Sequence, residues 1–252
     1  MNGELLQIAR ITYYVNYSLR NNAVAEFKHG PYEGAIDFVL DHKKSFSDTE
    51  NETIYGVEEW VRTLIGQGLK KAVLFVSVSD NPSYAGFSNT GSKCMITEFL
   101  DGTSSSWYPR WEFDRAKTMW NVQYFQLSCG PAPDDPRLFV NNLEEFKDAL
   151  LKIEAFAREI NNETFAKIFK ESYGYLVNED ESGDAVYMRD NFPGIGSSAL
   201  RMLTAASGAD VFGGMGSWND IGYEADKDEE YQRLSQMLYA QVQKAVMFAV
   251  NT

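Results

Sequence analysis

Carboxylates and glycines crowd one short stretch near the C-terminal end, Ala209-Asp210-Val211-Phe212-Gly213-Gly214-Met215-Gly216-Ser217-Trp218-Asn219-Asp220, with Glu224 just beyond it. Glycine admits positive φ and lets backbone amides come close to a ligand. A carboxylate beside such amides can give or take a proton. Two functions therefore compete here. One is a binding surface made by Gly213, Gly214, Gly216, Trp218, Asn219 and Asp220. The other is a carboxylate-dependent enzyme, with Asp220 as acid or base and Asp210 or Glu224 assisting. The bland alternative is a structural turn, in which Val211-Phe212 enters the core, the glycines reverse the chain and Trp218 plugs a gap.

The block is similar to one in a group of uncharacterised bacterial proteins that share a Gly-Gly-Met-Gly-Ser-Trp-Asn-Asp sequence. The resemblance covers only the C-terminal part of the chain and implies no activity.

Other chemistry is sparse. The two histidines, His29 and His42, lie in polar N-terminal stretches without partners at metal-ligand spacing. There is no Cys-x-x-Cys, no phosphate-binding Gly-rich loop ending in Lys, and no Gly-x-Ser-x-Gly elbow. A Cys94–His29 thiol dyad has no local signature to support it. Asn178 to Arg189 has the spacing of a calcium loop, but Arg189 stands where a bidentate Glu belongs, so a solvated acidic loop is expected. Gly194-Ile195-Gly196-Ser197-Ser198 opens a helix and reads as a cap rather than an anion site. Trp107, Tyr108, Trp111 and Trp120 suggest an aromatic groove, and Trp107, Trp111 and Trp218 a small-molecule cleft, although strand positions favour core packing. No metal and no cofactor are called for.

Composition narrows the class. The 252 residues are 44% hydrophobic and 14% aromatic, enough to fill a sizeable core. A formal net charge of -13 opposes nucleic acid and anionic membrane surfaces. It suits a basic protein partner or simple solubility. Cys94 and Cys129 are read as free thiols in a reducing cytoplasm. No leader or membrane-length apolar run is seen, so a cytoplasmic location is expected.

The elements that must position these residues follow from periodicity. Glu4 to Arg20 reads as a helix, Ala35–Leu40 as a strand, and Val57–Ile65 as a short helix closed by Gly66 and Gly68. Ala72–Val78 is apolar on both faces and is expected to be central in a sheet. Lys93–Leu100, Ser105–Asp114 and Met119–Leu127 form a meander, with Asp101-Gly102 as a hairpin turn and Pro109 marking an edge or bulge. Residues 41–53 read as a polar loop, and 130–136 as a stiff proline-rich connector. Helices then cover Leu143–Ala157, with Asn142 and Glu145 as a capping box, and Glu163–Val177, Ser198–Ala206 and Asp226–Val250. Asn178–Pro193 is expected to be irregular. The sequence thus predicts an α+β fold, a mainly antiparallel sheet of about five strands covered by helices. Region 1–130 holds the sheet and 137–252 is helical, within one domain or as two. The leading functional expectation is a non-catalytic binding protein that masks a basic partner. The enzyme and the aromatic-cleft receptor are the alternatives.

Overall fold

The computed structural model describes residues 1, 3–40, 52–78, 81–84, 89–130, 136–178, 183–213 and 216–252. The fold is α+β, with a six-stranded mixed sheet and a helical C-terminal half. The chain divides into two compact units. A sheet unit comprises Gln7–Phe75 and Ser88–Asp135, and a helical unit comprises Met1–Leu6, Val76–Phe87 and Pro136–Thr252.

In the sheet unit β1 (Glu33–Val39), β2 (Thr53–Tyr55), β3 (Leu69–Val76), β4 (Lys93–Phe99), β5 (Ser104–Asp114) and β6 (Met119–Gly130) lie in the order β2-β1-β6-β5-β4-β3. The β1–β2, β4–β5 and β5–β6 pairs are antiparallel, while β1 and β6 are parallel. The sheet thus gains β2, which is too short to carry a periodic signal. Most of the expected 41–53 loop lies outside the described residues. Helices α1 (Gly3–Asn21) and α2 (Val57–Gly66) cover one face. Phe38 and its register partner Tyr124 point to that side. Phe38 stacks on Trp60 of α2 at 3.9 Å between centroids, and the Tyr124 hydroxyl donates to Gln7 Oε1 of α1 at 3.0 Å. Trp107 is fully buried beside them and donates its indole N–H to Thr97 Oγ1 at 3.0 Å.

Ala72–Val78 was expected in the middle of the sheet, yet β3 is an edge strand. Its both-sided apolarity goes with burial of both faces, since Ala72, Val73, Leu74 and Val76 are all buried, and its edge is covered as well. The Asn16 amide of α1 accepts from the Ala72 N–H at 2.9 Å and donates to the Ala72 carbonyl at 2.8 Å, as a neighbouring strand would. In the helical unit the Val76 N–H meets Met247 Sδ at 3.3 Å. An edge closed in this way is no longer a template for another chain. Pro109, as expected, sits where pairing stops. The recorded β4–β5 register ends at Trp107, and beyond it β5 keeps β6 as its strand partner. Asn89 then substitutes for a strand by bonding both the N–H and the carbonyl of Trp111. Where the β1–β6 register slips, a Cβ at Gly34 would lie 2.5 Å from Asn121 Oδ1 and would displace that amide oxygen, which accepts from Ala35 N–H at 3.1 Å.

The helical unit packs α3 (Leu143–Glu159), α4 (Glu163–Val177), α5 (Gly183–Asn191), α6 (Ser197–Ala209) and α7 (Asp228–Asn251) around a core that includes Phe146, Ile153, Phe169, Leu203 and Val242. Three local expectations are corrected. Asn142 does not close a capping box: its amide donates to the carbonyl and Oε1 of Gln241 on α7, and Asn141 Oδ1 accepts from Leu143 N–H instead. The stretch 178–193 is not wholly irregular, because α5 forms within it and buries Ala185 and Met188. Arg189 is thus helical rather than part of a calcium loop, while residues 179–182 lie outside the described set. Finally, α7 starts at Asp228 rather than Asp226, after a 3-10 turn over Ala225–Lys227.

Candidate functional site

The glycine block belongs to the helical unit. Gly213 and Gly216 hold positive φ, 77° and 76°, while Gly214 and Met215 lie outside the described residues. The turn closes on itself: Trp218 N–H donates to the Val211 carbonyl at 3.0 Å. A short 3-10 helix over Trp218–Asp220 follows. Trp218 is fully buried. Its indole N–H donates to Ser235 Oγ at 2.7 Å, and its carbonyl accepts from the Tyr231 hydroxyl at 2.8 Å. Phe165, Phe169 and Tyr231 surround its ring at 5.2, 5.1 and 5.5 Å. Asp220 is exposed, and its Oδ2 accepts from the backbone N–H of Gly216 at 2.8 Å and of Ser217 at 3.3 Å. Asn219 reaches the Pro82 carbonyl at 3.3 Å. These contacts give Trp218 a core role and Asp220 a turn-closing role.

The other residues singled out in the sequence are separately placed. Glu224 is exposed, and Asp210 is half-buried at the end of α6. Burial, reinforced by the nearby charges of Asp210 and Glu4, pushes the Tyr239 hydroxyl up to about 12. Trp107 is buried in the sheet unit and Trp218 in the helical unit, so neither has ring surface to offer a ligand. Trp111 is half-buried, and Trp120, expected in the core, is 36% exposed. Cys94 is a buried free thiol whose burial raises it to about 11, with Tyr108 hydrogen-bonded beside it. A thiol so raised is protonated at neutral pH and a poor nucleophile. His29 packs edge-on to Phe27. The side chains of Cys129 and His42 lie outside the described set. Among the described residues no cluster of three or more His, Cys, Asp or Glu side chains could hold a metal ion, and no helix is long and apolar enough to cross a membrane.

Neither Tyr55 nor its surroundings stood out in the sequence. In the sheet unit an open cleft of about 440 Å³ is lined by Val24, Ala25, Glu26, Tyr55, Glu58, Glu59 and Arg62. Gly56, at φ 84°, turns the chain from β2 directly into α2 and so sets Glu58 and Glu59 on the helix's first turn. Acids are stabilised there by the helix dipole, which is why the pair reads as ordinary helix chemistry in the sequence. Glu58 Oε1 accepts from Phe27 N–H at 2.8 Å, drawing the 24–27 segment against α2 as the cleft's second wall. Burial and the charge of Glu58 push the Tyr14 hydroxyl up to about 12. Arg62 is paired with Glu59 at 3.1 Å. Tyr55 stands 74% exposed on β2, an edge strand among the described residues. No protein family, curated protein or solved structure matches this chain. Among the described lining residues, three carboxylates against one already paired guanidinium, beside an exposed aromatic face, suit a positively charged group.

Proposed function

We propose that this is a non-catalytic binding protein that engages a basic protein partner, taking a Lys or Arg side chain of that partner into the cleft beside Tyr55. The observation that carries the reading is the lining of the cleft: among the described residues it holds Glu26, Glu58 and Glu59 with Tyr55, and Arg62 as the one cation. The net charge of -13 adds long-range attraction for such a partner. The carboxylates supply the ion pairs, and the Tyr55 ring a face on which an ammonium or guanidinium can lie.

The test is a titration with an arginine-containing peptide, compared across two variants of equal charge. Glu26→Gln/Glu59→Gln removes two exposed carboxylates from the cleft. Glu229→Gln/Glu230→Gln removes two exposed carboxylates from the first turn of α7. Weakened binding in the first variant alone supports the reading. Equal weakening in both means that net charge, not the cleft, attracts the peptide.

A further inference from the structure

We infer that the basic partner binds as an extended strand added to the outer edge of β2, so that main-chain pairing with Thr53 and Tyr55 lays its Lys or Arg side chain in the cleft. This rests on the reading above that the cleft takes a cation, and it names the form of the segment that carries it.

Backbone bonding at β2 decides which groups are free. In an antiparallel pair, opposed residues alternate between those that exchange N–H and carbonyl bonds and those whose groups face outward. Gly56 N–H donates to the Ile36 carbonyl at 3.1 Å, and Leu40 N–H donates to the Glu52 carbonyl at 2.9 Å. Both bonds lie in the register that pairs Phe38 with Ile54. Ile36, Phe38 and Leu40 therefore take the bonded positions of β1. Thr53 and Tyr55, opposite Val39 and Asp37, take the others. Their N–H and carbonyl groups point away from β1, and among the described residues no group bonds to them.

The two edges of the sheet are thus unlike. The β3 edge is closed where the Asn16 amide bonds the N–H and carbonyl of Ala72. The β2 edge presents the same kinds of group bare. Such an edge is where an extended peptide adds as a further strand. Tyr55 belongs to both features, since it ends the open edge and lines the cleft. Beyond it Gly56 turns the chain into α2, whose first turn carries Glu58 and Glu59. A strand running alongside β2 therefore reaches the cleft as it leaves Tyr55. Glu26, Glu58 and Glu59 set the charge of that strand. They also oppose a second copy of β2 as the added strand, because self-pairing brings one acidic cleft toward another. An edge of three residues offers few main-chain bonds, so strand pairing and the ion pair are needed together.

The probe is a short peptide of alternating Val and Arg, unmodified or N-methylated on one or the other alternate set of backbone nitrogens. Methylation removes donors and keeps the side chains, and side-chain alternation fixes which set faces β2. One methylated peptide should bind about tenfold or more weaker than the unmodified one, and the other should bind like it. Hydrogen exchange at the Thr53 and Tyr55 amides should slow about tenfold or more when the unmodified peptide is bound. Thr53→Pro removes a donor that β1 does not use, at an edge position that tolerates proline. It should weaken the unmodified peptide about tenfold with unchanged circular dichroism. Should that variant fail to fold, the methylated peptides decide on the wild-type chain. Equal binding of both methylated peptides, or unslowed exchange at Thr53 and Tyr55, overturns the inference. So does slowing that grows with protein concentration in the absence of peptide, which assigns the edge to a second copy. If Glu26→Gln/Glu59→Gln still weakens the peptide in those cases, the cleft reading stands and only the strand addition fails. If it does not, both fall.

Discussion

Trp218 binds three separate parts of the helical unit to one ring: the turn from Val211, the aromatic face of α4 and the α7 side chains Tyr231 and Ser235. Trp218→Ala should therefore destabilise the protein by about 3–5 kcal/mol, measured by urea unfolding. Ser235→Ala should cost about 1–3 kcal/mol, because a buried indole N–H loses its acceptor. Asp220→Ala is expected to lower the melting temperature by the equivalent of about 0.5–2 kcal/mol, in the manner of a lost helix cap. An unchanged melting temperature would instead leave Asp220 available for the ligand role that its sequence suggested. The glycines and Trp-Asn-Asp were legible as a special turn. What the ring packs against was not, because Ser235 and Tyr231 reach it only through the tertiary fold. Buried hydroxyls and the Cys94 thiol give a pH signature. Folding raises Cys94 from 9.0 to about 11, and Tyr14, Tyr231 and Tyr239 from 10.0 to about 12. The unfolded chain loses these protons first, so stability is expected to fall as pH climbs above 9, and a melting series from pH 8 to 11 should show it. A melting temperature that is flat or rises over that range contradicts the burial of these groups.

Element by element, periodicity located α1, α2, α3, α4, α6, α7 and five of the six strands. It failed where an element's pattern depends on what covers it. β3 reads as a central strand because both its faces are apolar, but its neighbour along the open edge is a side chain, Asn16. Asn16→Leu leaves the Ala72 N–H and carbonyl without partners, and a loss of about 1–3 kcal/mol with increased aggregation on heating is expected. Light scattering during a melt would check it, and wild-type behaviour would show that the edge does not need this cover. α5 escaped detection because the short helix shows little amphipathic pattern among charged neighbours, and two of its side chains, Ala185 and Met188, are its recorded buried anchors. α7 was legible from the stripe Leu234, Leu238, Ala245 and Ala249, all of which are buried. Truncation before Asp228 should leave the helical unit without cooperative thermal unfolding, since Trp218, α3 and α6 all lose their packing partner. Calorimetry showing a retained sharp transition would contradict that role.

On the scale of the whole molecule, composition suggested the charge of the proposed partner but not where it would dock. Negative residues are spread along the chain, and nothing in the sequence marks Glu26 and Glu58-Glu59 as neighbours. They meet because Glu58 captures the Phe27 N–H and Gly56 turns β2 straight into α2. Tyr55 was likewise hidden in a strand of three residues. Backbone amide chemical-shift mapping during titration with an arginine-containing peptide tests the central claim most directly. The account predicts saturable shifts concentrated at residues 24–27 and 55–62, lost in Glu26→Gln/Glu59→Gln. Shifts scattered over the acidic surface, or gathered at Gly216 to Asp220, would contradict it.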